Sequence, residues 1–251
     1  MEFFLRVDYA DISLLGGREE NQDRVAAAVS EHAALLVVVD GMGGHANGAK
    51  AAEVTQQVVL EAFGQAAHPL FDPMGFLHLT LGRAHEEVVK LGAQLPIEHR
   101  PRATCAICLV QQGAAWWAHI GDSRLYHLRR GSLVSRSRDH SHVELLLREG
   151  LITADQAQTH PMRNFVECCL GGDPIVPDMT LARRRELRPN DVLLVCTDGF
   201  WAGVKDSEIA SEVSAPGVAL KEKLLELAQR AVVRTGAASD NTSVAALRWV
   251  G

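Results

Sequence analysis

Ala103-Thr104-Cys105-Ala106-Ile107-Cys108-Leu109-Val110 is followed closely by Ala114-Ala115-Trp116-Trp117-Ala118-His119-Ile120 and then by Leu125-Tyr126-His127-Leu128. These runs are apolar and β-prone, and strand follows strand from 103 to 135 with no helical pattern between them. That order favours an antiparallel, layered α+β fold over a strictly alternating parallel one. Further strand-like runs lie at Arg24–Val29, Ala34–Val39, Met179–Leu187, Val192–Cys196 and Thr242–Val250. Helical periodicity occupies roughly Gly48–Gly64, Pro73–Gln94 and Val218–Thr235. An irregular region from Asp139 to Pro177 holds two short helical patterns, around His142–Glu149 and Thr153–Gln158, broken at Gly150 and Pro161.

No internal repeat, low-complexity tract or long linker divides the 251 residues, so one domain over 1–251 is expected. Apolar residues make up 47% and charged residues 22%, which excludes a disordered chain. Twenty-five basic residues against 31 acidic give a net charge of −6, which argues against a broad nucleic-acid-binding surface. The longest strongly apolar run, Ala33–Val39, is far shorter than the roughly 20 residues of a membrane helix. The N-terminus lacks a charged-then-apolar signal pattern, and five cysteines do not make a disulfide scaffold. A reduced, cytoplasmic protein is expected, monomeric for want of any heptad pattern. Cys105 and Cys108 form a C-x-x-C inside a strand-like run, where residues three apart face opposite ways and cannot share a metal. Cys168, Cys169 and Cys196 read as buried small hydrophobes.

The chemistry lies in where the aspartates fall. Leu35–Val39 leads into Asp40-Gly41, Trp116–Gly121 into Asp122-Ser123, and Val192–Thr197 into Asp198-Gly199. Asp240 precedes the strand from Thr242, and Asp23 precedes the strand from Arg24. A single Asp-Gly is ordinarily a turn. Here, however, Asp40-Gly41 and Asp198-Gly199 are followed by helix-like segments. Should these strand ends converge, the carboxylates repel one another and need cations. All-oxygen ligands select Mg²⁺ or Mn²⁺ over zinc. Two such ions a few Å apart suit hydrolysis of phosphate esters. Arg18, five residues before Asp23, alone reads as a solvated surface residue; beside a bound metal its planar fork would suit a phosphoryl group.

In order along the chain stand Arg18-x-x-Asn21-Gln22-Asp23, Asp40-Gly41-Met42-Gly43-Gly44-His45, Gly121-Asp122-Ser123-Arg124, Asp139-His140-Ser141, Thr197-Asp198-Gly199 and Ser239-Asp240-Asn241. In these six motifs the sequence resembles the metal-dependent serine/threonine phosphatases of the PP2C type, in their compact bacterial branch. The resemblance implies a four-layer α/β/β/α sandwich of two antiparallel sheets, with metals in a cleft at one edge. It implies that Asp40 bridges two ions and the Gly41 carbonyl holds the first. Asp198 and Asp240 would hold the second ion, and Asp122 would join Asp198 at a third site. Asp23 would orient metal-bound water, Arg18 would grip the substrate phosphate, and His45 is the candidate general acid. Water activated between the ions would attack phosphorus directly, with two or three Mn²⁺ or Mg²⁺ per chain. Phosphorylated proteins, and a cognate Ser/Thr kinase with its substrates, would be the partners. The region of about 139–177 would be the family's flap beside the site, where His140 and Arg163 could touch substrate but are expected rather to cap and pack.

The pattern departs from the wider family at Gln22, Met42, Ala202 and Thr242-Ser243, none of them an assigned carboxylate. Rival readings fare worse. Gly41-Met42-Gly43-Gly44-His45-Ala46 fits a nucleotide-binding G-x-G-x-x-A, but Asp40 would face the pyrophosphate. No cysteine is followed six residues on by arginine, and no G-x-S-x-G is present. The alternative from another class is a catalytically silent phosphoprotein-binding or sensor module, which loss of the metal carboxylates would favour; all five are present.

Overall fold

The computed structural model describes residues 5–42, 46–215, 217 and 219–251. Its strands are β1 (Val7–Leu14), β2 (Asp23–Val29), β3 (Ala33–Met42), β4 (Arg102–Gln111), β5 (Ala114–Ile120), β6 (Arg124–Arg129), β7 (Ser132–Arg136), β8 (Leu170–Gly171), β9 (Thr180–Glu186), β10 (Val192–Cys196) and β11 (Thr242–Trp249). Its helices are α1 (Ala46–Gln65), α2 (Pro73–Leu91), α3 (His142–Arg148), α4 (Ala154–Thr159), α5 (Asp198–Trp201), α6 (Asp206–Val213) and α7 (Leu220–Thr235). One sheet has the order β1-β11-β10-β6-β7; the other runs β2-β3-β4-β5-β9, with β8 added to β4. Every pairing is antiparallel.

The period-2 alternation of strands sorts the apolar side chains into layers. In β3, Ala34, Leu36 and Val38 face inward and meet Leu193, Val195, Ala245 and Leu247 of the opposite sheet. The intervening Leu35, Val37 and Val39 face outward, under Val59 and Phe63 of α1 and Leu81 and Val88 of α2. On the far side, Tyr126, Leu194 and Cys196 lie under Leu224, Leu227 and Ala231 of α7. The result is the expected sandwich of two sheets between helical layers. Each fully buried Leu or Val contributes about 1.5–3 kcal/mol through its removal from water. Cys105 and Cys108 fall into different layers, as their spacing requires.

The structure departs from the sequence reading in several places. β1 was not expected, because Asp8, Asp11 and Ser13 break its apolar run; as an edge strand it exposes these positions. β7, with Ser132, Ser135 and Arg136, is the opposite edge of the same sheet. The helix-like segment expected after Asp198-Gly199 is present as two short helices, α5 and α6. β3 runs on through Asp40 to Met42 rather than ending at Val39. Cys168 and Cys169 are only partly buried, in contrast to the expectation, because they lie in the outer segment before β8; Cys196 is buried. No helix among the described residues is long and apolar enough to cross a membrane.

Candidate active site

Antiparallel registration gathers the aspartates at one end of the sandwich. Asp23, the first residue of β2, lies directly opposite Asp40 near the end of β3. In the other sheet, Cys196 at the end of β10 pairs with Arg124 at the start of β6 and with Val244 near the start of β11. Asp198, Asp122 and Asp240 therefore emerge together. A cavity of about 590 Å³ opens there, lined among others by Arg18, Asp40, Asp122, Asp198 and Asp240. The sequence spans more than 200 positions between the first and last of these residues, yet with Gly41 six predicted positions meet in one cleft.

Two glycines allow that convergence through close backbone packing. A Cβ on Gly41 would stand 2.1 Å from the Gly48 carbonyl oxygen, and one on Gly199 would stand 2.1 Å from the Asn241 carbonyl oxygen. Gly41 thus owes its identity to the approach of α1 as well as to any bound ion.

The carboxylates are electrostatically strained. Burial, then the neighbouring charges of Asp23, Asp198, Asp122 and Asp240, hold the Asp40 carboxyl well above its ordinary value. Burial, followed by Asp198 and Asp139, pushes Asp122 up to about 8. Burial and Asp240 push Asp198 up to about 6. Asp122 Oδ1 is buried without a hydrogen-bond partner. An oxygen-only donor set with an orphaned buried carboxylate oxygen fits hard divalent cations, whose charge would offset the repulsion. Among the described residues, no three acidic, imidazole or thiolate side chains close around one ion-sized point; the aspartates ring an open cleft instead.

Arg18 and Asp240 explain part of that openness. Arg18 Nη2 donates to Asp240 Oδ2 at 2.7 Å, so the residue expected to meet phosphate here holds a predicted metal ligand. Asp23 does not line the cleft. It is buried behind Asp40 and accepts a hydrogen bond from Thr197 Oγ1 at 2.8 Å. Burial pushes its carboxyl up to about 7 against the opposing effect of its hydroxyl donors. His45 lies outside the described residues.

Several supporting residues escaped the sequence reading as site components. Asn241 Oδ1 accepts from the Gln22 backbone N–H at 2.8 Å, while its Nδ2 donates to the carbonyls of Leu15 and Glu20 at 2.8 and 3.0 Å. It thereby ties the loop carrying Arg18 to the strand that follows Asp240. Arg124 grips Asp139 with two hydrogen bonds, of 2.9 and 2.7 Å, and lies 3.6 Å over the Trp201 ring. Trp201 Nε1 in turn donates to the Asp122 carbonyl at 3.0 Å. The motifs containing Asn241, Arg124 and Asp139 were legible, but nothing marked Trp201. His140 has the packing role expected: its Nδ1 accepts from the Gly121 N–H at 3.3 Å. Arg163 is exposed and does not line the cleft.

Comparison with known proteins gives the family of this antiparallel sandwich with a carboxylate-ringed cleft at one end. The model of Protein phosphatase 2C matches residues 15–230. The chain belongs to the protein phosphatase 2C family. It is 34% identical over 232 residues to the serine/threonine protein phosphatase PstP of Mycobacterium tuberculosis, which covers 90% of this chain but 42% of PstP. The chain thus spans less than half the length of that relative. It is 31% identical over 235 residues to a protein phosphatase 2C-type protein of Streptococcus pyogenes, covering 91% of each. The solved catalytic domain of PstP in complex with two manganese ions superposes with a TM-score of 0.81 at 28% identity, covering 98% of this chain and 99% of that one.

Proposed function

We propose that the chain is a metal-dependent protein serine/threonine phosphatase, hydrolysing phosphoserine and phosphothreonine esters. The observation that carries this reading is the meeting of Asp40, Asp122, Asp198 and Asp240 with Arg18 in one cleft. Asp40, with the Gly41 carbonyl, Asp198 and Asp240, would hold two divalent ions, and Asp122 with Asp198 a third. Bound there, the ions supply an activated water and neutralise charge on the phosphoryl oxygens.

The protein's own groups supply the rest. The Arg18 fork, released from Asp240, reaches the phosphoryl oxygens with two parallel N–H donors. Asp23, buried behind Asp40 and paired with it across the strands, would orient metal-bound water indirectly, through the strand end that bears Asp40. His45 is the proposed donor of the proton to the leaving serine or threonine oxygen. Manganese is favoured by likeness to the PstP catalytic domain, solved with two manganese ions. The substrates would be phosphorylated proteins, including those of a cognate kinase, with the enzyme acting as a cytoplasmic monomer and the segment 139–177 forming a flap. The presence of all five aspartates disfavours a silent binding module.

The test is hydrolysis of a phosphothreonine peptide by EDTA-stripped protein, with Mn²⁺ restored, beside Asp198→Asn. Metal-dependent turnover that collapses in the variant supports the proposal. No turnover across several phosphopeptides with Mn²⁺ and Mg²⁺ would overturn it.

A further inference from the structure

A second cavity, of about 400 Å³, lies on the other side of the segment that borders the catalytic cleft. Asn164 and Val166 line the cleft, and Glu167, Cys168 and Cys169, next in the chain, line the second cavity. The sheet gives the same adjacency independently. Met42, in the cleft wall, pairs with Arg102, and Arg102 pairs with Gly171 of β8; both of the latter line the second cavity. Neighbouring strands stand about 4.8 Å apart, so the backbones of Met42 and Gly171 lie about 10 Å apart, or three residues of extended chain.

The lining of this groove is both apolar and acidic. Ile97, Ile175 and Val176 are exposed by 55%, 78% and 50% of their surface. Glu167, Asp173 and Asp178 are exposed around them. Asp173 Oδ1 accepts from the Ile175 N–H at 2.8 Å, which fixes the turn presenting Ile175. Glu167 faces His142 at 2.9 Å. Among the described lining residues the one cation, Arg102, donates to the Ile97 carbonyl at 2.9 Å and is outnumbered by the three carboxylates. Glu19 and Glu20 line the cleft itself. Such a surface repels acidic segments and attracts basic ones, while its aliphatic floor rewards an apolar side chain.

We infer that this groove holds the part of the phosphoprotein about three to five residues from the phosphorylated side chain, selecting a Lys or Arg beside an aliphatic residue. The inference rests on the phosphatase reading for the identity of the occupant. Its basis is the adjacency of the groove to the cleft, along the chain and across the sheet, and its charge.

Two phosphothreonine peptides test it, one with Arg-Leu pairs three to five residues on either side of the phosphothreonine and one with Asp-Ser pairs there. Each is assayed with wild-type protein, Asp173→Asn/Asp178→Asn and Ile175→Ser, with p-nitrophenyl phosphate as a small substrate that stops at the cleft. The wild type should favour the basic peptide about fivefold or more in kcat/KM, and the double variant should lose most of that preference through KM, as exposed ion pairs imply. Turnover of p-nitrophenyl phosphate should be unchanged in all three proteins. Equal kcat/KM for the two peptides, or a preference the variants leave intact, overturns the inference while leaving phosphatase activity standing. Fluorescence anisotropy of the unphosphorylated peptides reads the groove without turnover. Tighter binding of the basic peptide, weakened in the double variant, supports the inference, and indistinguishable binding overturns it even if nothing is hydrolysed.

Discussion

Arg18 and Asp240 form an ion pair at 2.7 Å across the mouth of the cleft, with 56% and 38% of their side-chain surfaces exposed. An exposed pair contributes at most about 1 kcal/mol to folding. Arg18→Ala should therefore leave the melting temperature nearly unchanged while lowering kcat/KM by about 10²-fold or more, the size of a lost transition-state donor. Arg18→Lys should recover only part, because an ammonium cannot present the planar fork. Thermal unfolding and steady-state kinetics on the same preparations check this. A large loss of stability would make Arg18 a structural residue instead.

Asp198 separates the needs of folding from those of chemistry. Its burial beside Asp240 and Asp40 makes its charge unfavourable in the absence of a counter-ion. Asp198→Asn should raise the unfolding temperature of the EDTA-treated protein while abolishing most of the stabilisation that Mn²⁺ gives the wild type. That stabilisation amounts to about 2.7 kcal/mol at a metal concentration 100 times Kd. Differential scanning calorimetry with and without Mn²⁺ reads both effects.

Asn241 satisfies two carbonyls and one N–H in the Leu15–Gln22 loop, and it is only 5% exposed. Asn241→Ala would leave these groups unpaired and should cost about 1–3 kcal/mol. Because the same loop carries Arg18, kcat/KM should fall as well. Urea unfolding and kinetics measured together test the link; a loss of stability with undiminished kcat/KM would break it.

Away from the cleft, Asp191 sets an acid limit. Its carboxyl is buried and accepts two hydrogen bonds from Arg129, at 2.7 and 2.6 Å, one from the Arg188 N–H at 2.9 Å, and faces His127 Nε2 at 2.9 Å. Burial works to raise the carboxyl, but Arg129, the Arg188 amide and His127 outweigh it and hold it below its usual value. A depressed carboxyl stabilises the fold above its unfolded value of about 3.9, and that contribution is lost as pH falls through the folded value. Unfolding measured at descending pH should show this loss below about pH 4. Asp191→Asn should remove this part of the pH dependence and cost about 3 kcal/mol at neutral pH.

The sequence made some of this visible for reasons of spacing. Leu35–Val39 ahead of Asp40 and Val192–Cys196 ahead of Asp198 read as buried strands ending in carboxylates, and the register places both at one end of the sandwich. β1 was hidden because an edge strand needs no continuous apolar run, and Asp8 and Asp11 there face solvent. The pairing of Arg18 with Asp240 and the position of Trp201 under Arg124 depend on contacts between residues far apart in the chain, which no local pattern encodes. The groove beside the flap was equally unreadable. Ile97, Arg102 and Asp178 come together only because β8 pairs with β4.

On the proposed function, these aspartates hold the ions on which turnover depends. The most direct measurement is a Mn²⁺ titration of stripped wild-type and Asp40→Asn protein, following bound metal by electron paramagnetic resonance and phosphopeptide hydrolysis in the same samples. Wild-type activity should rise with occupancy of two ions, and Asp40→Asn should lose both binding and turnover. Turnover in stripped protein without added metal, or an Asp40→Asn protein that binds and hydrolyses as the wild type does, would contradict the account.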